Sequence, residues 1–274
     1  MRTSRFAALL ATMLITCSGS AALAAIGPTS TLYIMNYGEF SGGNITGLDL
    51  IQGVNESSFP TSYSLDINIA VFGDVRTMGY STTNQGSQFD LAANPLAGGP
   101  YTNNIVNSQL HDGTSDGNYN YSVNYTTGDV LQFDRNWANP VTLFNATANL
   151  PGAGWITINA ADGSFWISQW GGPDVVEHFT HSGALLGTFN SGVLGSLGLA
   201  LDPVDGTLWM GDNNFMLHQF SQSGTALQTI GYTLQGSWYG MEFDTTPVPE
   251  PSTRVLAVMG FVGLVAWGWR RRSR

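Results

Sequence analysis

Ile156-Thr-Ile-Asn-Ala-Ala-Asp162-Gly163-Ser-Phe-Trp166-Ile167 is matched, 43 residues on, by Leu199-Ala-Leu-Asp-Pro-Val-Asp205-Gly206-Thr-Leu-Trp209-Met210. A second pair follows, Val175-Val-Glu-His-Phe179-Thr-His-Ser-Gly183 against Met216-Leu-His-Gln-Phe220-Ser-Gln-Ser-Gly224, offset by 41. The slip of two falls in the connection between, where Trp170-Gly-Gly-Pro stands opposite Asn213-Asn214. An earlier copy runs through Asp116-Gly-Asn-Tyr-Asn-Tyr121 and Gly128-Asp-Val-Leu-Gln-Phe133. Each unit sets short alternating apolar runs between Asp-Gly and Ser-Gly turns, and no helical period appears.

A period near 43 with roughly four strands per unit is the mark of a propeller blade. The last full unit reads as an inner strand (Gly198 to Leu201), a second (Thr207 to Gly211), a third (Phe215 to Ser221) and an outer fourth (Ala226 to Ile230). The ends of the body are out of phase with this unit. Tyr239-Gly-Met-Glu-Phe-Asp244 matches the inner strand Leu197-Gly-Leu-Ala-Leu-Asp202, whereas Thr31-Leu-Tyr-Ile-Met-Asn36 matches the second strand Thr207-Leu-Trp-Met-Gly-Asp212. Joined, the two ends complete one blade, which closes a ring with no free sheet edge. Second strands fall near residues 33, 119, 166 and 209, and Asp74-Val-Arg-Thr-Met-Gly-Tyr80 fills the wide first gap. The expected fold is all-β: a single β-propeller over residues 25–247, with about five four-stranded blades. Six blades is the less favoured count, and Ala92 to Asn107 reads as a long loop. A sandwich or a solenoid would not need the two ends to share a repeat.

Of 274 residues only 10% are charged and none is lysine. All 19 acids lie between Glu39 and Glu250, and Arg76 and Arg135 are the only arginines among them. A surface of that sign repels phosphate backbones, which excludes nucleic acid as a partner. Residues 1–24 read as a secretory signal: Arg2 and Arg5, an apolar run from Phe6 to Ile15, and an Ala22-Leu23-Ala24 cleavage site. Its removal by signal peptidase also removes Cys17, the single cysteine, so the mature body has no disulfide and no thiolate.

At the other end, Val248-Pro249-Glu250-Pro251-Ser252-Thr253 precedes an apolar run from Val255 to Trp269, closed by Arg270-Arg271-Arg272-Ser273-Arg274. Fifteen apolar residues make a helix of roughly 22 Å, a thin transmembrane span with arginines on its cytoplasmic side. This order resembles the PEP-CTERM sorting signal of bacterial exosortase substrates. The resemblance covers 248–274 and implies that Pro249, Glu250 and Pro251 form the recognition element. It also implies a partner, exosortase, and an exported protein that is membrane-anchored in transit and ends at the cell surface or outside the cell. The repeat Asp202-Pro-Val-Asp-Gly-Thr-Leu-Trp209 is similar to NHL and lactonase-like propellers over one turn per blade, which implies fold and not activity.

Candidate site residues are few. Asp112, Thr114, Asp116 and Gly117 fit the first half of an EF-hand loop, but Val123 occupies the twelfth position in place of a bidentate Glu. Calcium at Asp112 and Asp116 therefore rests on half a motif, and the alternative is an Asx-type turn with glycine at positive φ. Gly113-Thr-Ser115-Asp-Gly117 spells G-x-S-x-G without the helix that a nucleophile elbow requires. No convergent catalytic set emerges from the four histidines or the many turn acids. Tyr37, Trp170 and Trp238 fall in loops expected to share one face around the channel mouth, where exposed rings stack on sugars. The function expected is a binding or structural role in or near extracellular polysaccharide. The alternative is a lactonase- or lyase-type enzyme holding a divalent metal at the channel mouth.

Overall fold

A computed structural model describes residues 27–37, 46–61, 66–79, 85–97, 101–102, 109–170, 175–234 and 236–247. The expected signal peptide, the sorting signal with Pro249, Glu250 and Pro251, and the expected membrane helix lie outside the described residues.

Five blades follow one another around an axis. The closing blade orders Ser237–Phe243, Leu32–Tyr37, Thr46–Gln52 and Asn55–Pro60 from inside out. Its first two strands, from opposite ends of the chain, pair antiparallel from Leu32↔Phe243 to Tyr37↔Ser237. The third blade runs from Thr114–Ser115 through Tyr119–Val123 and Asp129–Asp134 to Val141–Asn145. The fourth comprises Ala153–Asn159, Ser164–Gln169, Val175–Phe179 and Leu185–Asn190, and the fifth Ser196–Leu201, Leu208–Asp212, Met216–Phe220 and Ala226–Gly231. The second blade departs from the rest. Among the described residues it has three strands, Asp66–Val71, Val75–Gly79 and Gln88–Phe89, beside a separate two-residue ladder of Gln85–Gly86 with Tyr101–Thr102. Part of the stretch expected as a loop thus supplies a short strand.

Neighbouring blades explain why the inner and second strands are buried almost throughout instead of on alternate residues. Successive side chains point to opposite faces of a sheet, and here both faces meet another blade. Phe165 and Ile167 pack toward the third blade with Tyr121 and Val130, while Trp166 packs toward the fifth with Leu208 and Phe220. An apolar cluster fills each of the five seams in the same way, including Trp209 and Phe243 at one side of the closing blade and Met35 and Val71 at the other. Outer strands are exposed, as in Leu185–Asn190.

Candidate functional site

All five inner strands run the same way, so the wheel has two distinct ends. At the lower end the inner strands turn into the second strands. Here Asp162 and Asp205 cap their turns through Ser164 N and Thr207 N (2.9 and 2.8 Å), with Gly163 and Gly206 at φ +74° and +71°. Asp116 builds the matching turn of the third blade, accepting from Asn118 N and Tyr119 N at 2.8 Å while Tyr121 OH donates to its other oxygen. At the upper end the second strands finish, placing Tyr37, Tyr125 and Trp170 together with the segment that enters the third blade, including His111.

The axis is closed by carboxyl groups. Asp112 is fully buried, and its two oxygens accept four backbone N–H groups: Gly113 (2.8 Å), Met241 (3.0 Å), Ile156 (3.1 Å) and Leu199 (3.4 Å). Those donors come from four of the five inner segments, so one side chain ties the wheel across its hub. Below it, Glu242 accepts from Phe243 N at 3.0 Å and from Thr157 Oγ1 at 3.1 Å, and Thr157 in turn accepts Leu201 N. Thr114 makes the same bond to Ile158 N one blade earlier. Burial pushes both Asp112 and Glu242 up, and the charge of Asp112 raises Glu242 further. The four N–H bonds to Asp112, and the bonds to Glu242 from Thr114, Thr157 and Phe243 N, oppose that rise without reversing it. Gly240 belongs to this closure: at φ +45°, a Cβ there would come within 2.5 Å of Ile67 O and 3.2 Å of Asp112 Oδ1.

Above the plug lies a bowl of rings. His111 stacks on Tyr125 (centroids 4.3 Å apart) and on Trp155 (5.7 Å), and meets Trp170 and Tyr239 edge-on at 5.9 and 6.0 Å. Tyr125 and Trp170 touch at 5.6 Å. Desolvation raises the Tyr239 phenol, with Tyr37 close enough to add to the effect. Burial draws the His111 imidazole down to about 4, so the bowl carries no positive charge near neutral pH. Trp170 is 45% exposed, an unusual position for so large a ring. The bowl can therefore present aromatic faces to a ligand.

Two of the three residues expected on this face are brought to it, Tyr37 and Trp170. Trp238 is corrected: it lies within the inner strand of the closing blade, fully buried against Phe215, with Nε1 donating to Asp49 Oδ2 at 3.0 Å. The repeat placed its neighbour Tyr239 at the strand start, but the strand begins at Ser237 and turns the indole into the seam with the fifth blade. His111, Tyr125 and Tyr239 were missed, because His111 and Tyr125 stand in connections outside the matched units and Tyr239 reads as an ordinary inner-strand residue. Asp112 and Asp116 serve the hub and a turn respectively, and among the described residues no three His, Cys, Asp or Glu gather as a metal would need. Ser115 of the G-x-S-x-G stretch is a buried strand residue whose Oγ donates to Tyr119 O and accepts from Arg135 Nη1. His178 lies flat on Trp166 at 4.0 Å with Nε2 at 2.8 Å from Ser164 Oγ, and Gln219 makes the same bond to Thr207 in the next blade.

Residues 247–272 match the family model described as the PEP-CTERM protein-sorting motif. This chain carries that motif. It implies a secreted, exosortase-processed protein with a C-terminal anchor region, here borne by a five-bladed propeller body. No curated protein sequence matches the chain. Among solved structures, a chain of a nidogen/laminin complex is similar at 12% identity and TM-score 0.52, over 80% of this chain and all of that one. A protein of unknown function from Bacteroides caccae is similar at 13% identity and TM-score 0.43, over 74% of this chain and 73% of its own. Another, from Bacteroides thetaiotaomicron VPI-5482, is similar at 13% identity and TM-score 0.48, over 78% and 65%.

Proposed function

We propose that the mature propeller is a non-catalytic binding protein of the cell surface or extracellular matrix, and that its ligand is a glycan held on the aromatic bowl. The exposed indole of Trp170, braced by Tyr125 and His111, carries this reading. Sugar rings present axial C–H groups to aromatic faces, and a neutral bowl in an otherwise acidic body suits a ligand without negative charge. The acids nearest the axis already spend their oxygens on backbone N–H and threonine hydroxyl groups, which favours binding over acid–base chemistry there. The rival reading is a lactonase- or lyase-type enzyme holding a divalent metal at the channel mouth, and among the described residues no three His, Cys, Asp or Glu gather as such a metal would need.

The test is binding of the purified mature body to an array of neutral polysaccharides, followed by tryptophan fluorescence titration with the best binder. Trp170→Ala and Tyr125→Ala are expected to weaken binding at least tenfold with little change in melting temperature, because both rings are part-exposed. Absence of binding to any saccharide, or unaltered binding by both variants, would overturn the assignment.

A further inference from the structure

Both ends of the described chain leave the wheel through its lower face. At the C-terminal side, Thr245 Oγ1 donates to Val71 O (2.9 Å) and Ser115 O (2.7 Å), and Asp244 Oδ1 accepts Gly73 N at 2.9 Å. These bonds pin the last body residues beneath the second and third blades, next to the axis. At the N-terminal side, Ser30 Oγ donates to Asp202 Oδ1 in the lower turn of the fifth blade, and Pro28 O accepts Gly53 N from the lower turn of the closing blade. The aromatic bowl is at the opposite end.

We propose that, while the C-terminal anchor is intact, the lower face is turned toward the membrane and the aromatic bowl away from it. Tether length decides this. Residues 247–254 separate the pinned Thr246 from the apolar run that starts at Val255. Eight residues can span at most about 29 Å, at ~3.6 Å each for a fully extended chain. Turning the bowl to the bilayer would require the tether to cross the lower face and climb a blade. A body of this size has a radius of gyration of about 17 Å, and a seven-residue inner strand is about 23 Å tall. The detour of about 40 Å exceeds the reach. Asp116, Asp162, Asp205 and Asp244 line the lower face, while Arg76 and Arg135 there are paired with Asp74, so the face is net negative and is not drawn onto anionic lipid.

The orientation follows from the chain exits alone and does not depend on the glycan reading. Its test uses the full-length chain with Cys17→Ser, kept anchored in a host without exosortase. Single cysteines are introduced at Thr126 on the upper face or at Ala161 or Val204 on the lower face, all three exposed, and labelled with a fluorescent donor. Membrane vesicles then receive an acceptor attached to lipid headgroups. Energy transfer is expected to be several-fold greater from Ala161→Cys and Val204→Cys than from Thr126→Cys. A twenty-residue Gly-Ser insertion after Thr246 is expected to erase the difference. Equal transfer from both faces without the insertion, or a difference that survives it, would overturn the proposal.

Discussion

Asp66 shows what burial does to a single acid in this wheel. It begins the inner strand of the second blade, fully buried, with Thr77 Oγ1 donating to its Oδ2 at 2.5 Å. Desolvation outweighs that bond and the one from Ser87, pushing the carboxyl up to about 8. An acid raised in the folded state stabilises fully below its unfolded value near 4, and that contribution is lost as pH rises toward 8. Asp66→Asn keeps the shape and removes the charge. Across pH 4 to 8, Asp66→Asn is expected to gain on the wild type by up to about 1.4 kcal/mol per pH unit, read from urea unfolding. A constant difference between the two proteins would refute the buried neutral acid. Neither Asp66 nor the hub pair Asp112 and Glu242 was legible in the sequence as structural. Asp112 corresponds by repeat to Trp155 and Gly198, so alignment of the units gives no hint that a carboxyl at that position collects N–H groups from across the axis. An acid among 19 looks like any other turn acid until the ring brings its donors together.

At the scale of elements, the turns and seams account for both what the repeat reveals and what it hides. The Asp-Gly turns of the third, fourth and fifth blades were readable because glycine at positive φ and an Asx cap leave a fixed spacing. The second blade was nearly invisible, since its first turn, Phe72-Gly73-Asp74, keeps no Asp-Gly and uses its acid sideways. Asp74 joins the two arginines of the body: Arg76 at 2.9 Å and Arg135 at 2.5 Å, with Arg135 coming from the third blade. Burial pushes the Asp74 carboxyl up, but the bonds from Arg76 and Gln88 and the two guanidinium charges prevail and hold it below the usual range. Asp74→Ala would leave two guanidinium groups facing each other across the seam. A loss of about 3 kcal/mol is expected, shrinking in 1 M salt as the repulsion is screened. A loss under 0.5 kcal/mol at low salt would show that the seam is held by Met78, Phe133 and Trp137 alone.

For the whole molecule, the phase of the repeat relative to the chain ends mattered more than any single motif. A unit that starts on its second strand and stops on its inner strand can satisfy its edges only by joining the two, and the ladder from Leu32↔Phe243 to Tyr37↔Ser237 does so. Closure fixes the hub, aligns the upper loops into a bowl and sends both chain ends out below. It also puts the proposed ligand face and the last described residues, up to Pro247, at opposite ends of the wheel. Tyr37→Cys combined with Ser237→Cys tests closure most directly, because residues 18–274 contain no cysteine and these two residues face each other at the upper rim. Under mild oxidation of the folded protein the pair is expected to cross-link completely, with a higher melting temperature that returns to the original on reduction. A folded protein whose two thiols stay free under the same conditions would contradict the closed wheel.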